Sequence, residues 1–477
     1  MSVRKLLKIK RARGQFIRLR IGAAVRKVTS AGQGGRAIRS TGNIQAARAF
    51  FLPKLHRIAE FLLSQGVTIA CNLLFGLLCV RLLPIGEYAK FVVVFAIQGS
   101  LMVLLDVGIS GAFVPLIGER IDDRQLIADY LASLRQIAHW LYAIAAPLTV
   151  VAYPLLVRNR HWSWQIVAAM IVIVLVSAWF ARVGASYGSV LIVRRDRYHW
   201  YQAQIISTLG ALALLGVFFA FHRFGAFTAI LIGVARIISV AIFYYLRAHK
   251  LLGVKGTPSK EKRTAIIQLT LPAVPSVVYY ALGGQISVFL ITIFGRTSAV
   301  ASVGALSRLG QIFSLLTPIN GVLVEPYFAR LPKKELKSHY LMAMAGASVC
   351  GAGIVAIARV WPGLFLWVLG PKYAGLRTEV VLVMLLGAIG LVGGVMAAIN
   401  NSRRFIYYSF VLADNMVTLI LQVLFIWKVD LSTVRAVLWF GIASLLPTFA
   451  IGILTAFYGF AKGGRRVAGI DYSLEGE

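Results

Sequence analysis

Long apolar segments follow one another through almost the whole chain. A window of about 19 residues, the length suited to finding membrane helices, separates twelve of them. They cover residues 61–82, 90–114, 137–157, 164–191, 203–221, 225–246, 268–294, 299–325, 340–358, 379–400, 406–427 and 436–460. A helix of about 20 residues crosses the roughly 30 Å hydrocarbon core of a bilayer. The sequence therefore predicts an all-α integral membrane protein with about twelve transmembrane helices.

The composition of the chain agrees with a membrane protein. Hydrophobic residues make up 59% of the sequence and charged residues only 14%, against about 25% charged residues in soluble domains. The net charge of +33 would suit a nucleic-acid partner, but no zinc pattern or basic-aromatic module accompanies it. We therefore predict basic cytoplasmic loops and no nucleic-acid partner.

The positions of the basic residues predict an orientation in the membrane. If the N-terminus is inside, the inward regions after residue 60 contain 21 Lys and Arg residues, and the outward links with their flanking segment ends contain 11. Residues 1–57 add fifteen more and hold no Asp or Glu. Because cytoplasmic loops are rich in Lys and Arg, we predict that both chain termini are cytoplasmic.

The richest inward link, RAHKLLGVKGTPSKEKR at 247–263, divides the twelve segments into two sets of six. Two parallel repeats of this kind are a transporter architecture, with the substrate site between them. We therefore predict two six-helix lobes around a central cavity. The regions are a basic cytoplasmic extension at 1–57, an N-terminal lobe at 58–246, a basic linker at 247–266, a C-terminal lobe at 267–461 and a cytoplasmic tail at 462–477.

The extension alternates basic and apolar residues, which suits either an amphipathic helix on anionic lipid or an unstructured tail.

Two features inside the segments bear on this division. Residues 86–109 and 299–322 align at a shift of 213 positions, so that Gln98 meets Gln311 and Gly108 meets Gly321. This match is a weak sign of an internal repeat. Segment seven contains LPAVPS, whose two prolines predict a bend in that helix.

Three arginines lie inside apolar segments, namely Arg182, Arg236 and Arg308. A charged side chain in the bilayer core is costly and usually faces a cavity or a partner, so each is a candidate for function. If Arg236 and Arg308 both face the central cleft, they form a cationic cavity between the lobes, suited to capture of phosphate oxygens. Arg182 is a third candidate ligand for such an anion, although it lies close enough to the cytoplasmic end to snorkel. The alternative for all three is pairing with an acid or with backbone carbonyls.

Two intramembrane acids are candidates for a coupling proton or cation. Asp106 lies in segment two and Asp414 in segment eleven. Carboxylates at such depth carry protons or ions in many transporters. Their alternatives are a salt bridge, a contact with a helix terminus or simple exposure at the interface.

The sequence contains no catalytic motif that we recognise. It lacks a Walker A loop and the patterns GxSxG, HExxH and CxxC. Its three cysteines, Cys71, Cys79 and Cys350, all lie in apolar runs and offer neither a disulfide framework nor a ligand cluster. We therefore predict a protein that is not an enzyme and has no catalytic residues, metal site or cofactor.

Three stretches together resemble a known family. RLLPIGEYAKFVVVFAIQGSLMVLLDVGI at 81–109 is similar to the opening signature of polysaccharide biosynthesis membrane proteins. These are the Wzx-type lipid-linked oligosaccharide flippases of the multidrug/oligosaccharidyl-lipid/polysaccharide (MOP) exporter superfamily. VLIVRRDRYHW at 190–200 resembles the family's basic step between spans four and five, and LFLWVLGPKYAG at 364–375 resembles its segment after span nine. The matching family-motif residues are Arg81, Glu87, Tyr88, Asp106, Gly108, Gly370 and Tyr373.

The resemblance implies a MATE-like fold in a bacterial cytoplasmic membrane and a specific substrate class. The expected substrate is an undecaprenyl-pyrophosphate-linked oligosaccharide, moved from the inner to the outer leaflet for surface polysaccharide synthesis. Its expected partners are membrane lipids, a polysaccharide polymerase and glycosyltransferases. Gln285 stands where relatives often have a carboxylate, which argues against ion coupling through segment seven.

Two other functions compete with this interpretation. A MATE-type exporter of drugs or metabolites has the same twelve-span plan, but a cationic substrate would favour acids over arginines in the cavity. A membrane glycan polymerase would typically have a long, charged outward loop, whereas the longest outward link here has about twenty residues, at 359–378. The sequence does not identify the glycan.

Overall fold

A computed structural model describes residues 65–118 and 120–462. The predicted basic extension at 1–57 lies outside this range, as does the predicted tail beyond Lys462. The described residues all belong to one compact unit. The lobe boundaries derived from the sequence stay a prediction.

The described part of the first half contains seven α-helices that contribute six candidate spans. They are α1 (Gln65–Leu82), α2 (Ile85–Asp106), α3 (Ile109–Ile117), α4 (Arg124–Val157), α5 (Trp164–Val193), α6 (Arg197–Ala220) and α7 (Ala226–Leu252). Helices α2 and α3 together form one span. A short 3₁₀ turn, Arg158–Arg160, follows α4.

The second half is more broken. Its helices are α8 (Lys260–Thr270), α9 (Val274–Gly283), α10 (Ile286–Phe294), α11 (Thr297–Gly310), α12 (Glu325–Arg330), α13 (Lys333–Val360), α14 (Pro362–Leu369), α15 (Arg377–Ser402), α16 (Tyr408–Lys428) and α17 (Val434–Lys462). Between α11 and α12 the chain forms a 3₁₀ turn at Gln311–Leu315, a single helical turn at Thr317–Ile319 and a π-helical turn at Asn320–Val324.

The count of spans agrees with the sequence. Within the described ranges, eleven helices are long and apolar enough to cross a membrane, or twelve if the bent pair α8–α9 counts as one span. The angle between α8 and α9 is 62°, and the break falls at Leu271–Ala273, inside the LPAVPS stretch predicted to bend. Segments seven and eight are thus not the continuous helices that hydropathy alone suggests, because the prolines interrupt the helical hydrogen bonds. The all-α, multi-pass fold class is confirmed.

A second break separates α2 from α3. Val107 and Gly108 have positive φ angles of 40° and 78°. The carboxylate of Asp106 accepts a hydrogen bond at 3.2 Å from the backbone N–H of Ser110, in the first turn of α3. Gly108 suits this turn because it has no Cβ to strain in the left-handed region. The acid-x-Gly motif therefore has a structural role in turning the chain between the two helices.

Successive spans leave links at two ends of the bundle. We call the end with residues 83–84, 158–163, 221–225, 295–296, 361–376 and 429–433 the upper end. The lower end carries the link after Ile117 and residues 194–196, 253–259, 331–332 and 403–407. In the orientation predicted from the basic residues, the upper end faces away from the cytoplasm.

Basic side chains join the two halves at the upper end. The guanidinium of Arg160, 8% exposed, donates to the carbonyl oxygens of Ile291 and Thr292 at the C-terminus of α10. The ammonium of Lys372 donates to the carbonyls of Arg81 and Leu83, at 3.1 and 2.8 Å, at the C-terminal end of α1. The carbonyls of a last helical turn and the negative end of the helix dipole favour a cation at this position. Both contacts reach from one half of the chain to the other.

A polar cluster at the lower end gives the protein a pH-dependent contact. Asp196, in the link between α5 and α6, hydrogen-bonds to Arg247 Nε at 2.7 Å and to His199 Nδ1 at 2.6 Å. Burial acts to raise the pKa of the Asp196 carboxyl, but the hydrogen bonds from Arg247 and His199 outweigh burial and hold the pKa below its ordinary value. Such a carboxyl stabilises the fold above its unfolded-state pKa, about 3.9, and the stabilisation is lost as the pH falls through the folded-state value.

We therefore expect the free energy of unfolding of the detergent-solubilised protein to fall as the pH drops below about 4. The variant Asp196→Asn lacks the titrating group and should lose this part of the pH dependence. Unfolding curves recorded from neutral pH down to about pH 3 measure the difference. Equal slopes in the wild type and the variant would contradict this role of Asp196.

Candidate functional site

A cavity of about 420 Å³ lies between the two halves of the bundle. Helices α1, α2 and α7 of the first half line it, together with the end of α11 and the 3₁₀ turn after it from the second half. We call it the upper cavity. Its charged lining residues are Arg236 and Arg308, and no Asp or Glu of the described ranges lines it. The structure therefore brings together two arginines that are 72 positions apart in the sequence.

Arg308 is held firmly in the wall of this cavity. Its side chain is 6% exposed, and its guanidinium lies 4.1 Å from the ring centroid of Phe95 and 5.8 Å from that of Phe91. Its Nη1 donates to Gln311 Oε1 at 3.3 Å. A Cβ at Gly76 would come within 2.9 Å of the Arg308 Cδ, so glycine leaves room for this side chain. Aromatic faces attract a guanidinium and fix its position without neutralising its charge.

Arg236 faces the same cavity from α7. Its side chain is partly buried, and neither an acidic residue nor a hydrogen-bond acceptor pairs with it among the residues that the structure describes. The alternative of ion pairing, left open by the sequence, therefore does not hold for Arg236 within those residues. Its guanidinium keeps its donors available to a ligand.

Neutral polar groups complete the cavity wall. Asn72, Gln98, Gln311 and Ser314 line it alongside the arginines. The Nε2 atom of Gln98 is buried without a hydrogen-bond partner in the described part of the chain. Only Gln98 and Gln311 among these residues stood out in the sequence, because they occupy matching positions of the weak internal repeat. Amide and hydroxyl groups suit the hydroxyls of a sugar or the oxygens of a phosphate.

Arg182 lies in a different place. It lines a second cavity of about 530 Å³, below the first, with Asp106, Gly108 and residues of α4, α5 and α9. We call this the lower cavity. The Arg182 guanidinium stacks 4.0 Å from the ring centroid of Trp179, and its side chain is 6% exposed. Arg182 is thus buried within the bundle, and the snorkelling considered for it does not occur.

The two candidate coupling acids are also far apart in the fold. Asp106 lines the lower cavity without an ion pair to Arg182, and its carboxylate binds the backbone of Ser110. Asp414 accepts hydrogen bonds from Thr448 at 2.8 Å and Thr418 at 3.3 Å. Both acids therefore have hydrogen-bond donors but no basic partner among the described residues.

Asp414 lines a third cavity, of about 370 Å³, inside the second half of the chain. Asn400, Asn401, Thr448 and Tyr280 share this wall. The Oδ1 atom of Asn400 is buried and has no hydrogen-bond partner in the described ranges. The polar side chains named here, which share the cavity with Asp414, are thus neutral and carry oxygen atoms.

The family-motif residues mostly form a structural cluster at the upper end. Glu87 accepts from Lys90 Nζ at 2.6 Å and from the backbone N–H of Ala226 at 3.2 Å, so it links the start of α2 to the N-terminus of α7. Tyr88 and Tyr373 are buried, and the Arg81 guanidinium lies 5.4 Å from the Trp367 ring. Gly370 has a φ of 96°, which a residue with a Cβ rarely adopts. These motif residues join helix ends rather than line a cavity.

The arrangement suits the binding of an anion between the halves. Two guanidinium groups with no opposing carboxylate produce a positive potential in a medium of low dielectric constant. Within the ranges described, no group of three or more His, Cys, Asp or Glu residues could hold a metal ion. The upper cavity is therefore a candidate site for a phosphate-bearing ligand.

Comparison by sequence gives no relative. No protein-family profile matches the chain, and no curated protein matches it.

Comparison by structure gives several transporters. An inward-facing conformation of a multidrug resistance MATE family transporter of the MOP superfamily matches with a TM-score of 0.60 and 17% identity, over 82% of this chain and 93% of that one. A MATE protein in a bent conformation matches with a TM-score of 0.53 and 17% identity, over 84% and 94% of the two chains. A MOP superfamily transporter from Pyrococcus furiosus is described as having a binding pocket of reverse polarity that suggests a different function. It matches with a TM-score of 0.54 and 17% identity, over 84% of this chain and 94% of that one. The chain is a multi-pass membrane protein with the fold of the MATE transporters of the MOP superfamily.

Proposed function

We propose that this protein is a flippase for an undecaprenyl-pyrophosphate-linked oligosaccharide in a bacterial cytoplasmic membrane. It would move the repeat unit from the inner to the outer leaflet for surface polysaccharide synthesis. The observation that carries the proposal is the upper cavity, where Arg236 and Arg308 lie together without a carboxylate.

The charge of the cavity favours this substrate class over a cationic one. Pyrophosphate concentrates negative charge on closely spaced oxygens, and guanidinium groups bind such oxygens with paired hydrogen bonds. A cation would meet two positive groups and no acid, at a cost that the low dielectric constant increases. Gln98, Gln311 and Asn72 supply neutral donors and acceptors for sugar hydroxyls next to the pyrophosphate.

Alternating access between the two halves supplies the mechanism. The sugar and pyrophosphate occupy the polar cavity while the polyprenyl chain stays in the bilayer. The halves would then rock so that the cavity opens first at the lower end and then at the upper end. An inside-negative potential favours outward movement of the anionic headgroup, by about 2.3 kcal/mol per charge per 100 mV.

Asp414 is our candidate for ion coupling in this cycle. Its carboxylate shares a cavity with Asn400, Asn401 and Thr448, whose oxygens suit a small cation or a proton relay. Asp106 is the weaker candidate, because its hydrogen bond to Ser110 gives it a structural role. A polysaccharide polymerase and glycosyltransferases are the proposed partners in the membrane.

Deletion of the gene tests the proposed function. We expect loss of a surface polysaccharide and accumulation of short lipid-linked repeat units on the inner leaflet, because the substrate would be made but not moved. Extraction of lipid-linked oligosaccharides, with assay of the surface glycan, measures both. Complementation with the wild-type gene should restore the glycan, and normal glycan with no accumulation in a strain without a second flippase would contradict the proposal.

The second candidate is an exporter of drugs or metabolites. The fold favours it, because structural matches include multidrug resistance MATE transporters. The positive cavity restricts this candidate to anionic substrates. Sensitivity of the deletion strain to toxic organic anions, with an unchanged surface glycan, would favour it over the flippase.

A further inference from the structure

The lower cavity contains a buried charge that has no partner. The Arg182 guanidinium forms no hydrogen bond or ion pair with any residue in the described ranges, and its Nε atom is buried and unsatisfied. Its contacts with Trp179 and Tyr142 are to ring faces, at 4.0 and 6.0 Å from the centroids. An unpaired charge at this depth is costly, and ring faces recover only part of that cost.

Small side chains form part of the wall of the lower cavity. Gly108, Ala138, Ala181, Ala185 and Ser186 line it together with Arg182 and larger apolar side chains. The resulting volume of about 530 Å³ leaves room for a headgroup against the charged side chain.

The lower cavity continues the path of the upper one. Phe95, Gln98, Met102 and Asp106 lie at helical spacing on one face of α2, and Met102 lines both cavities. Arg308 stacks on Phe95, whereas Arg182 shares its cavity with Asp106, eleven residues further along. At a rise of 1.5 Å per residue, these two levels are about 16 Å apart along the helix.

We propose that Arg182 forms a second anion site, which takes a phosphate or pyrophosphate group before that group reaches Arg236 and Arg308. Asp106 lies in the same cavity beyond ion-pair distance, so its negative charge weakens anion binding and favours transfer to the upper cavity. The transport role of the site rests on the proposed function, whereas anion binding at Arg182 does not.

Binding to the purified full-length protein tests the site directly. The probes are inorganic pyrophosphate and farnesyl pyrophosphate, a short isoprenyl chain with the same headgroup, titrated by calorimetry. The wild type should bind two pyrophosphate groups per chain. Arg182→Gln should weaken the affinity of the lower site for pyrophosphate at least about tenfold. The double variant Arg236→Gln/Arg308→Gln should do the same to the upper site.

Several outcomes separate a ligand-binding role from a structural one. Arg182→Lys keeps the charge and should retain measurable binding, and Arg359→Gln, an exposed arginine at the end of α13, should change nothing. A single site in the wild type, or two sites in Arg182→Gln with unchanged melting temperature, would overturn the proposal. Preference for inorganic over farnesyl pyrophosphate would overturn the assignment of the site to a lipid path.

Transport kinetics then test the order of the two sites. In reconstituted vesicles, Arg182→Gln should raise the substrate concentration that gives half-maximal rate about tenfold with little change in maximal rate, since it impairs capture. If Arg182→Gln lowers the maximal rate and leaves the half-saturating substrate concentration unchanged, the proposal that Arg182 binds the headgroup first is contradicted. If the deletion strain keeps a normal surface glycan while the purified protein binds two pyrophosphate groups, the glycan substrate is rejected. The anion site at Arg182 would still stand in that case.

Discussion

Replacing both cavity arginines, Arg236→Gln and Arg308→Gln, should abolish translocation and leave the fold intact. Each guanidinium would form charge-assisted hydrogen bonds to the pyrophosphate, worth about 1.5–3 kcal/mol each. Loss of both therefore predicts at least about a hundredfold lower rate. Surface polysaccharide and lipid-linked repeat units in a complemented deletion strain measure the effect.

The controls for this prediction separate charge from geometry. Arg236→Lys/Arg308→Lys keeps both charges but loses the planar fork, so it should recover part of the activity. Arg359→Gln removes an exposed arginine that lines none of the three cavities and should behave as the wild type. Because Arg236 has no charge partner among the described residues, the single variant Arg236→Gln should also melt no lower than the wild type. Full surface glycan in the double Gln variant would contradict the role of the two arginines.

Arg160→Ala should weaken closure of the upper end. The buried Arg160 guanidinium donates to the carbonyls of Ile291 and Thr292, and the Ile291 carbonyl also accepts from the backbone N–H of Gly295, so Arg160 matters most for Thr292. Its removal costs about 2 kcal/mol or more in the conformation with this contact, which corresponds to about a thirtyfold shift toward conformations without it. We expect slower translocation, because the halves would no longer close firmly at this end.

Cysteine labelling measures this opening. In a chain whose Cys71, Cys79 and Cys350 are replaced, a reporter Ser314→Cys places a thiol in the upper cavity. An impermeant maleimide added to intact cells should label it faster in Arg160→Ala than in the parent. Arg158→Ala is the matched control, since Arg158 lies exposed in the same 3₁₀ turn and should leave labelling unchanged. Equal labelling of all three chains would exclude the closing role of Arg160.

Hydropathy sufficed to predict the fold class, because a bilayer imposes a fixed length on each span. Twelve spans were expected, and the described residues contain eleven, or twelve if the bent pair α8–α9 counts as one; the prolines of LPAVPS marked that bend. Hydropathy could not locate the 3₁₀ and π-helical turns after Arg308, since a helix that changes its hydrogen-bond pattern keeps the same apolar composition.

The cavity arginines were accessible to sequence reasoning for a similar reason. Intramembrane charge is rare, so Arg236 and Arg308 stood out, and the two-lobe division suggested that they could meet. Its position in the segment set Arg182 apart as a residue that could snorkel, but the sequence could not show that it lies in a separate cavity, because hydropathy gives depth but not the direction of a side chain.

Other contacts left no pattern in the sequence. Arg160 and Lys372 bind backbone carbonyls, and a carbonyl carries no residue identity that a motif could reveal. The role of Asp106 in holding the start of α3 is likewise visible only once the positive φ angles of Val107 and Gly108 are known.

Reconstituted translocation is the most direct test of the central claim, that the cavity between the halves carries a pyrophosphate headgroup. The protein would be placed in vesicles with a fluorescent, pyrophosphate-linked isoprenoid oligosaccharide, and an impermeant quencher would report its leaflet. We expect rapid exchange with the wild type and none above empty vesicles with Arg236→Gln/Arg308→Gln. Equal exchange by both proteins, or transport of organic cations by the wild type without exchange of the lipid, would contradict the claim.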